Sequence, residues 1–150
     1  MEPLIGWLLG KFPLNLKFIV HLEYFDGELL SLHENSEGDC YLYSWCDTDD
    51  IYHRWLVFRV TSRMLQQYIE RKISLRHLIL NPVDGFLYLL DIDRDRRVNN
   101  TYLVQPENLP ELYIPDPDSY YSFSELNGET QEVDRRLIQQ KVYGYNLSIS

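Results

Sequence analysis

Between Phe18 and Val60, short runs of alternating residues are separated by turn signals, a pattern that leaves the chain little choice but an antiparallel sheet. Phe18 to Tyr24 alternates as a strand does, and Asp26-Gly27 is a strong hairpin signal. The loop length decides the register. A two-residue loop would set Val20 and Leu22 beside Ser31 and His33. A three-residue loop, Phe25-Asp26-Gly27 with Gly27 left-handed, aligns them with Leu30 and Leu32. The second register makes one apolar face and is the predicted one; His21, Glu23, Ser31 and His33 then share the other face. Ser36 to Asp39 turns the chain into Cys40–Cys46, with Tyr41, Tyr43 and Trp45 on one side. The acidic loop Asp47-Thr48-Asp49-Asp50 leads to Trp55–Val60. Four successive strands predict a meander.

Ser62 to about Arg71 reads as a helix capped by Thr61 or Ser62, with Met64, Leu65, Tyr68 and Ile69 on one face. Ser74 caps a second short helix carrying Leu75, Leu78 and Ile79, ended by Asn81-Pro82. After the Val83-Asp84-Gly85 turn, Phe86 to Ile92 is apolar on both faces, which suits a buried central strand. Val20, Leu22, Leu30, Leu32, Met64, Leu65, Ile69 and Leu89 are expected to share one core. Asp93 to Asn100 is charged and turn-rich. Pro106, Pro110, Pro115 and Pro117 then punctuate an extended stretch whose Tyr113, Ile114, Tyr120, Tyr121 and Phe123 can bind it down as a strap. A helix is expected near Glu129 to Lys141, then a short strand with Tyr143, Tyr145, Leu147 and Ile149. The predicted fold is therefore α+β: an antiparallel meander of four or five strands, two short helices on one face, and an extended Pro/Tyr-rich C-terminal segment. One domain is expected over 1–150, with an apolar peptide at 1–14, the strap at 106–125 and a helix and tail at 126–150.

A net charge of −9 opposes general binding to nucleic acid, whose affinity comes from displacing counterions with Lys and Arg. A basic protein partner fits better. The charge is uneven, since Arg59, Arg63, Arg71, Lys72 and Arg76 cluster against Glu70 alone. Direct nucleic-acid contact would have to use these five; solvation, or pairing with the chain's own carboxylates, is the plainer reading. Cys40 and Cys46 lie in one strand about 20 Å apart, too far for a disulfide, so reduced thiols and a cytoplasmic setting are expected. The apolar opening has neither a basic leader nor the roughly 20 apolar residues of a bilayer span, so export and membrane insertion are not expected. A short helix or turn docked on the core is expected there, with Gly6 and Gly10 allowing close contact. If it is exposed instead, Leu4, Trp7 and Leu8 become partner anchors.

No sequence pattern carries chemistry outright. Asp91-x-Asp93-x-Asp95 opens like a calcium loop, but Arg96 replaces the loop glycine and Tyr102 the bidentate glutamate. His21 and His33 can lie diagonally across the first hairpin with Glu23 nearby, an arrangement able to bind a transition metal or relay a proton. His53 follows the acidic loop and can pair with Asp49 or Asp50, yet no nucleophile motif accompanies it; His77 reads as a helix-surface residue. No metal and no cofactor are therefore expected.

The runs Lys72-Ile73-Ser74-Leu75-Arg76, Leu80-Asn81-Pro82-Val83-Asp84-Gly85-Phe86-Leu87-Tyr88 and Leu109-Pro110-Glu111-Leu112-Tyr113-Ile114-Pro115 give the chain a family resemblance. It resembles small acidic bacterial domains of unknown function over about residues 17 to 121. The resemblance implies a bacterial or phage protein with this strand–helix order and carries no catalytic residues. The expected function is a non-enzymatic interaction subunit or adaptor, in a setting such as a defence complex, a toxin–immunity pair or a phage inhibitor. Its partner site is expected at Tyr113, Tyr120, Tyr121, Asp116, Asp118 and Trp7. A small hydrolase or nuclease-like enzyme using Asp47, Asp49 and His53, or Asp91 and Asp93, is the alternative. A third reading is an acidic mimic of nucleic acid, with Asp47 to Asp50 and Asp116 to Asp118 imitating phosphates.

Overall fold

The computed structural model describes residues 1–24, 27–122 and 129–144. Among these residues seven antiparallel strands form one sheet: β1 Trp7–Leu9, β2 Lys17–Tyr24, β3 Glu28–Glu34, β4 Cys40–Thr48, β5 His53–Val60, β6 Leu87–Ile92 and β7 Val98–Val104. Their order is β1-β7-β6-β5-β4-β3-β2. Helices α1 (Ser62–Ile69), α2 (Leu75–Leu80) and α3 (Glu129–Tyr143) complete the α+β fold. Local chemistry sets the first two helix starts. Thr61 Oγ1 accepts from the Met64 amide at 3.0 Å, and Ser74 Oγ from the His77 amide at 3.1 Å.

Val20, Leu22, Leu30, Leu32, Leu65 and Leu89 are buried in one cluster, with Met64 and Ile69 packed against it, as the alternation predicts. Tyr24 pairs with Glu28, so the first loop has three residues, and Val20 opposes Leu32. Three register irregularities interrupt this pairing, and two of them move side chains between faces. One at Ile19 turns Phe18 onto the face of His33, its cross-strand partner. The other lies between His21 and Glu23 and carries Glu23 to the helix side, where its Oε1 accepts from the buried Tyr68 hydroxyl at 3.1 Å. Glu23 therefore does not share a face with His21 and His33. Burial raises its pKa against the opposing effect of the Tyr68 bond.

The sheet is wider than expected. The N-terminal peptide forms edge strand β1 rather than a helix or turn, pairing Trp7 with Leu103 and Leu9 with Thr101. Gly6 does permit a close approach, but to a strand: a Cβ there would sit 2.5 Å from the Leu103 carbonyl oxygen. Its partner β7 begins within the stretch read as turn-rich. Only the turn at Asp93–Arg97 is local; Val98–Val104 gains its ladder from β6 and β1. Residues 106–113 wind into two 3-10 turns, so the strap is not extended throughout. Phe123, Tyr145, Leu147 and Ile149 lie outside the described residues, and Tyr143 ends α3.

Placing β1 and β2 at opposite edges constrains the link between them. Seven residues, Gly10 to Leu16, must recross the sheet. Six strand spacings make about 29 Å, which the link barely reaches even fully extended. The sheet must curl toward the link, and the link becomes a cover. Phe12, Leu14 and Leu16 pack on the helix-free face against Tyr41, Val57, Tyr88 and Leu90. Phe12 meets Tyr88 edge-on at 5.3 Å.

Candidate functional site

The link covers only part of that face. On the remainder, β2 to β6 line a groove of about 680 Å³. Alternation along β4 and β5 sends Tyr43, His53 and Trp55 into it. His33 stacks on Tyr43 with centroids 4.0 Å apart and planes inclined by 30°, and Tyr43 lies 6.4 Å from Trp55. On the other wall Phe18 approaches His21 at 4.8 Å and His33 at 5.5 Å. The Asp93–Arg96 turn closes the far end, with Arg94 and Arg96 on the rim.

His33 shares a 2.9 Å hydrogen bond between Nε2 and Ser31 Oγ. Burial, with the charge of His21, lowers its pKa to about 4, so it is a neutral ring at pH 7. His53 does not pair with Asp49 or Asp50: its Nδ1 accepts from Trp45 Nε1 at 3.2 Å, while Asp49 Oδ1 accepts from the Ile51 and Tyr52 amides. Three histidines share the groove, but among the described residues no group of three or more His, Cys, Asp or Glu side chains is placed to hold a metal.

A second polar centre lies on the helix side. The register sets Arg54 beside Asp91 and Asp91 beside Asn100. Arg54 grips Asp91 through both oxygens, at 2.7 and 3.0 Å, and Asn100 donates to the same carboxylate at 3.0 Å. Arg54 is 5% exposed and Asp91 2%. Arg54 Nη1 donates onward to the Glu2 carbonyl and the Tyr113 hydroxyl, which donates to Asp47. Burial pushes the Tyr113 hydroxyl pKa up, and the bond to Asp47 adds to that. Asp47 stays below the usual carboxylate range although burial opposes this, because Tyr113, Thr48 and Glu2 all donate to it. Every partner is satisfied, so the cluster reads as a lock that ties the N-terminal peptide and the strap to the sheet.

This lock explains the calcium-like spacing. Asp91 faces Arg54, whereas Asp93 organises its own turn, accepting from the Asp95 and Arg97 amides and from Asn99. Asp47, Asp49 and His53 likewise make separate contacts, with Tyr113, with the Ile51 and Tyr52 amides and with Trp45 respectively.

The expected partner residues also separate. Tyr113 and Tyr121 are core residues at 4% and 8% exposure, whereas Tyr120 is 47% exposed beside the exposed Asp116 and Asp118. Arg76 holds the strap down by donating to the Pro115 carbonyl at 3.1 Å. Trp7 is 64% exposed on β1. Of the five basic residues, Arg59 on β5 meets Asp39 and Asp84, and Lys72 meets Glu70, while Arg63 and Lys72 line one shallow pocket. Cys40 and Cys46 are free thiols. Among the described residues no helix is long and apolar enough to cross a membrane.

The profile of a family of unknown function (DUF6575) matches residues 6–136. The chain belongs to this family. The match takes in β1 and the first half of α3, elements outside the 17–121 span that the sequence resemblance covers. No curated protein and no solved structure matches the chain.

The groove was only partly legible in the sequence. His21 and His33 do meet on one face, but Phe18 arrives through a bulge, and Trp55 and the two arginines come from distant strands and a turn. Alternation of aromatic residues along β4 and β5 was the available signal.

Proposed function

We propose that the protein is a non-enzymatic interaction subunit that binds a basic protein partner by adding a strand to the β1 edge. The observation that carries this reading is the edge itself. Strands at sheet edges normally bear charge, proline or a bulge that discourages pairing. Leu4 to Leu9 has none of these, and Ile5, Trp7 and Leu8 are 70%, 64% and 67% exposed. Among the described residues no strand pairs with the outer side of β1, so a partner strand would find open backbone groups there and apolar side chains on both faces. The acidic field of the chain steers a basic partner toward it. Tyr120, Asp116 and Asp118 offer a second acidic and aromatic contact on the strap. A bacterial or phage complex is the setting that the family resemblance suggests, and the free thiols Cys40 and Cys46 suit a reducing cytoplasm.

Purification of tagged protein from its native host, in parallel with a Trp7→Lys/Leu8→Lys variant, tests the reading. The wild type is expected to retain a stoichiometric basic partner that the variant loses, with both melting within about 2 °C of each other because the replaced side chains are exposed. A wild-type protein recovered without a partner, or a variant that keeps it, defeats the proposal.

A further inference from the structure

We propose that the groove on the helix-free face binds a planar heteroaromatic ring carrying a phosphate, a ligand of the nucleotide type. Three neighbouring strands supply the platform: His33 stacks on Tyr43 at 4.0 Å, and Trp55 continues the surface at 6.4 Å from Tyr43. Stacking on such rings is how proteins hold bases without reading their edges. The imidazole of His33 is uncharged near pH 7, so the platform itself does not favour an anion.

The anion site is the rim. Arg94 and Arg96 have neither a hydrogen bond nor an ion pair to their guanidinium groups among the described residues. Elsewhere Arg54, Arg59 and Lys72 are matched to carboxylates. Asp93 also lines the groove, but both its oxygens are engaged by Asn99 and the turn amides. Arg96 moreover sits at φ 62°, a conformation that glycine adopts freely and arginine does not. Two unmatched guanidinium groups beside a ring platform are complementary to a phosphate beside a base. A volume of about 680 Å³ suits a small molecule. The net charge of −9 opposes a long polyanion, which favours one nucleotide over a strand.

Calorimetric titration with AMP, adenosine, inorganic phosphate and an oligo(dA) of about eight nucleotides tests this. The proteins compared are the wild type, Arg94→Ala/Arg96→Gly and Tyr43→Leu. Glycine relieves the backbone at position 96, so the double variant keeps its fold. AMP is expected to saturate the wild type, with adenosine and phosphate each at least about tenfold weaker. The double variant should lose about tenfold for AMP while keeping adenosine, and Tyr43→Leu should weaken both. Tighter binding of the oligonucleotide than of AMP would support the same chemistry with a single strand as its source. The proposal is overturned if neither AMP nor the oligonucleotide binds up to about 10 mM, if adenosine equals AMP, or if the double variant binds AMP as the wild type does. The site is independent of the β1 edge, so Trp7→Lys/Leu8→Lys should bind AMP unchanged.

Discussion

The two faces of the sheet are built from the same strands and differ in nearly every other respect. The helix side is aliphatic and closed: Leu42, Leu56, Leu89 and Val104 have no exposure under the three helices, and its charged pair, Arg54 with Asp91, is fully hydrogen-bonded. The opposite side is aromatic and half-covered, by a link of seven residues rather than by helices. Helices bring their own apolar stripe and seal a face. A taut link covers only the line it crosses, and here it leaves a ring-lined groove open. Closed apolar packing is concentrated on one side, and open ring surface on the other.

The largest effect that can sharpen this contrast is expected at the lock. Asp91→Ala leaves the Arg54 guanidinium buried without its carboxylate, and chemical denaturation should show a loss of about 3–5 kcal/mol. A loss below about 1 kcal/mol would mean that water reaches Arg54 and that the helix side is less closed than its geometry implies. Truncation of the apolar core comes next. Leu65→Ala should cost about 2–5 kcal/mol, against about 1–2 for Tyr43→Ala in the open groove. Equal losses would erase the distinction between the faces.

A further effect is expected in the pH dependence of the open face. An unfolded histidine titrates near 6.5, whereas His33 in the fold is lowered to about 4 by burial and by His21. Between those values the unfolded chain binds more protons, so stability from this residue is full above pH 6.5 and falls as the pH drops toward 4. The loss is at most about 3 kcal/mol. Glu23, on the helix side, has the opposite sign: its raised pKa adds stability at low pH that is lost as the pH rises above the ordinary carboxylate range. Comparing the pH profile of wild type with His33→Asn isolates the first contribution. An unchanged slope in the variant would show that His33 is solvated in the groove.

How much of this could be read beforehand depends on the range of the interactions involved. The loop length of the first hairpin, the apolar face of α1 and the caps Thr61 and Ser74 were legible because each depends on neighbours within a few residues. β7 was missed because Val98-Asn99-Asn100-Thr101 lacks an apolar alternation; its strand character comes from pairing on both sides. Tyr113 and Tyr121 are legible as strap residues, but nothing local distinguishes their inward rings from the exposed Tyr120 that lies between them.

By itself, the sequence determined the antiparallel meander from β2 to β5, the first two helices, the contents of the main core and the sign of the overall field. Those follow from alternation, capping and charge, which are properties of short windows and of composition. Only the tertiary structure decided that β1 and β2 lie at opposite edges, that Glu23 leaves the histidines, that Asp91 meets Arg54 across 37 positions, and that Arg94 and Arg96 stand at the end of a ring-lined groove. Bulges and strand order set these relations. Their free energies depend on contacts between residues far apart in the chain, which no local pattern encodes.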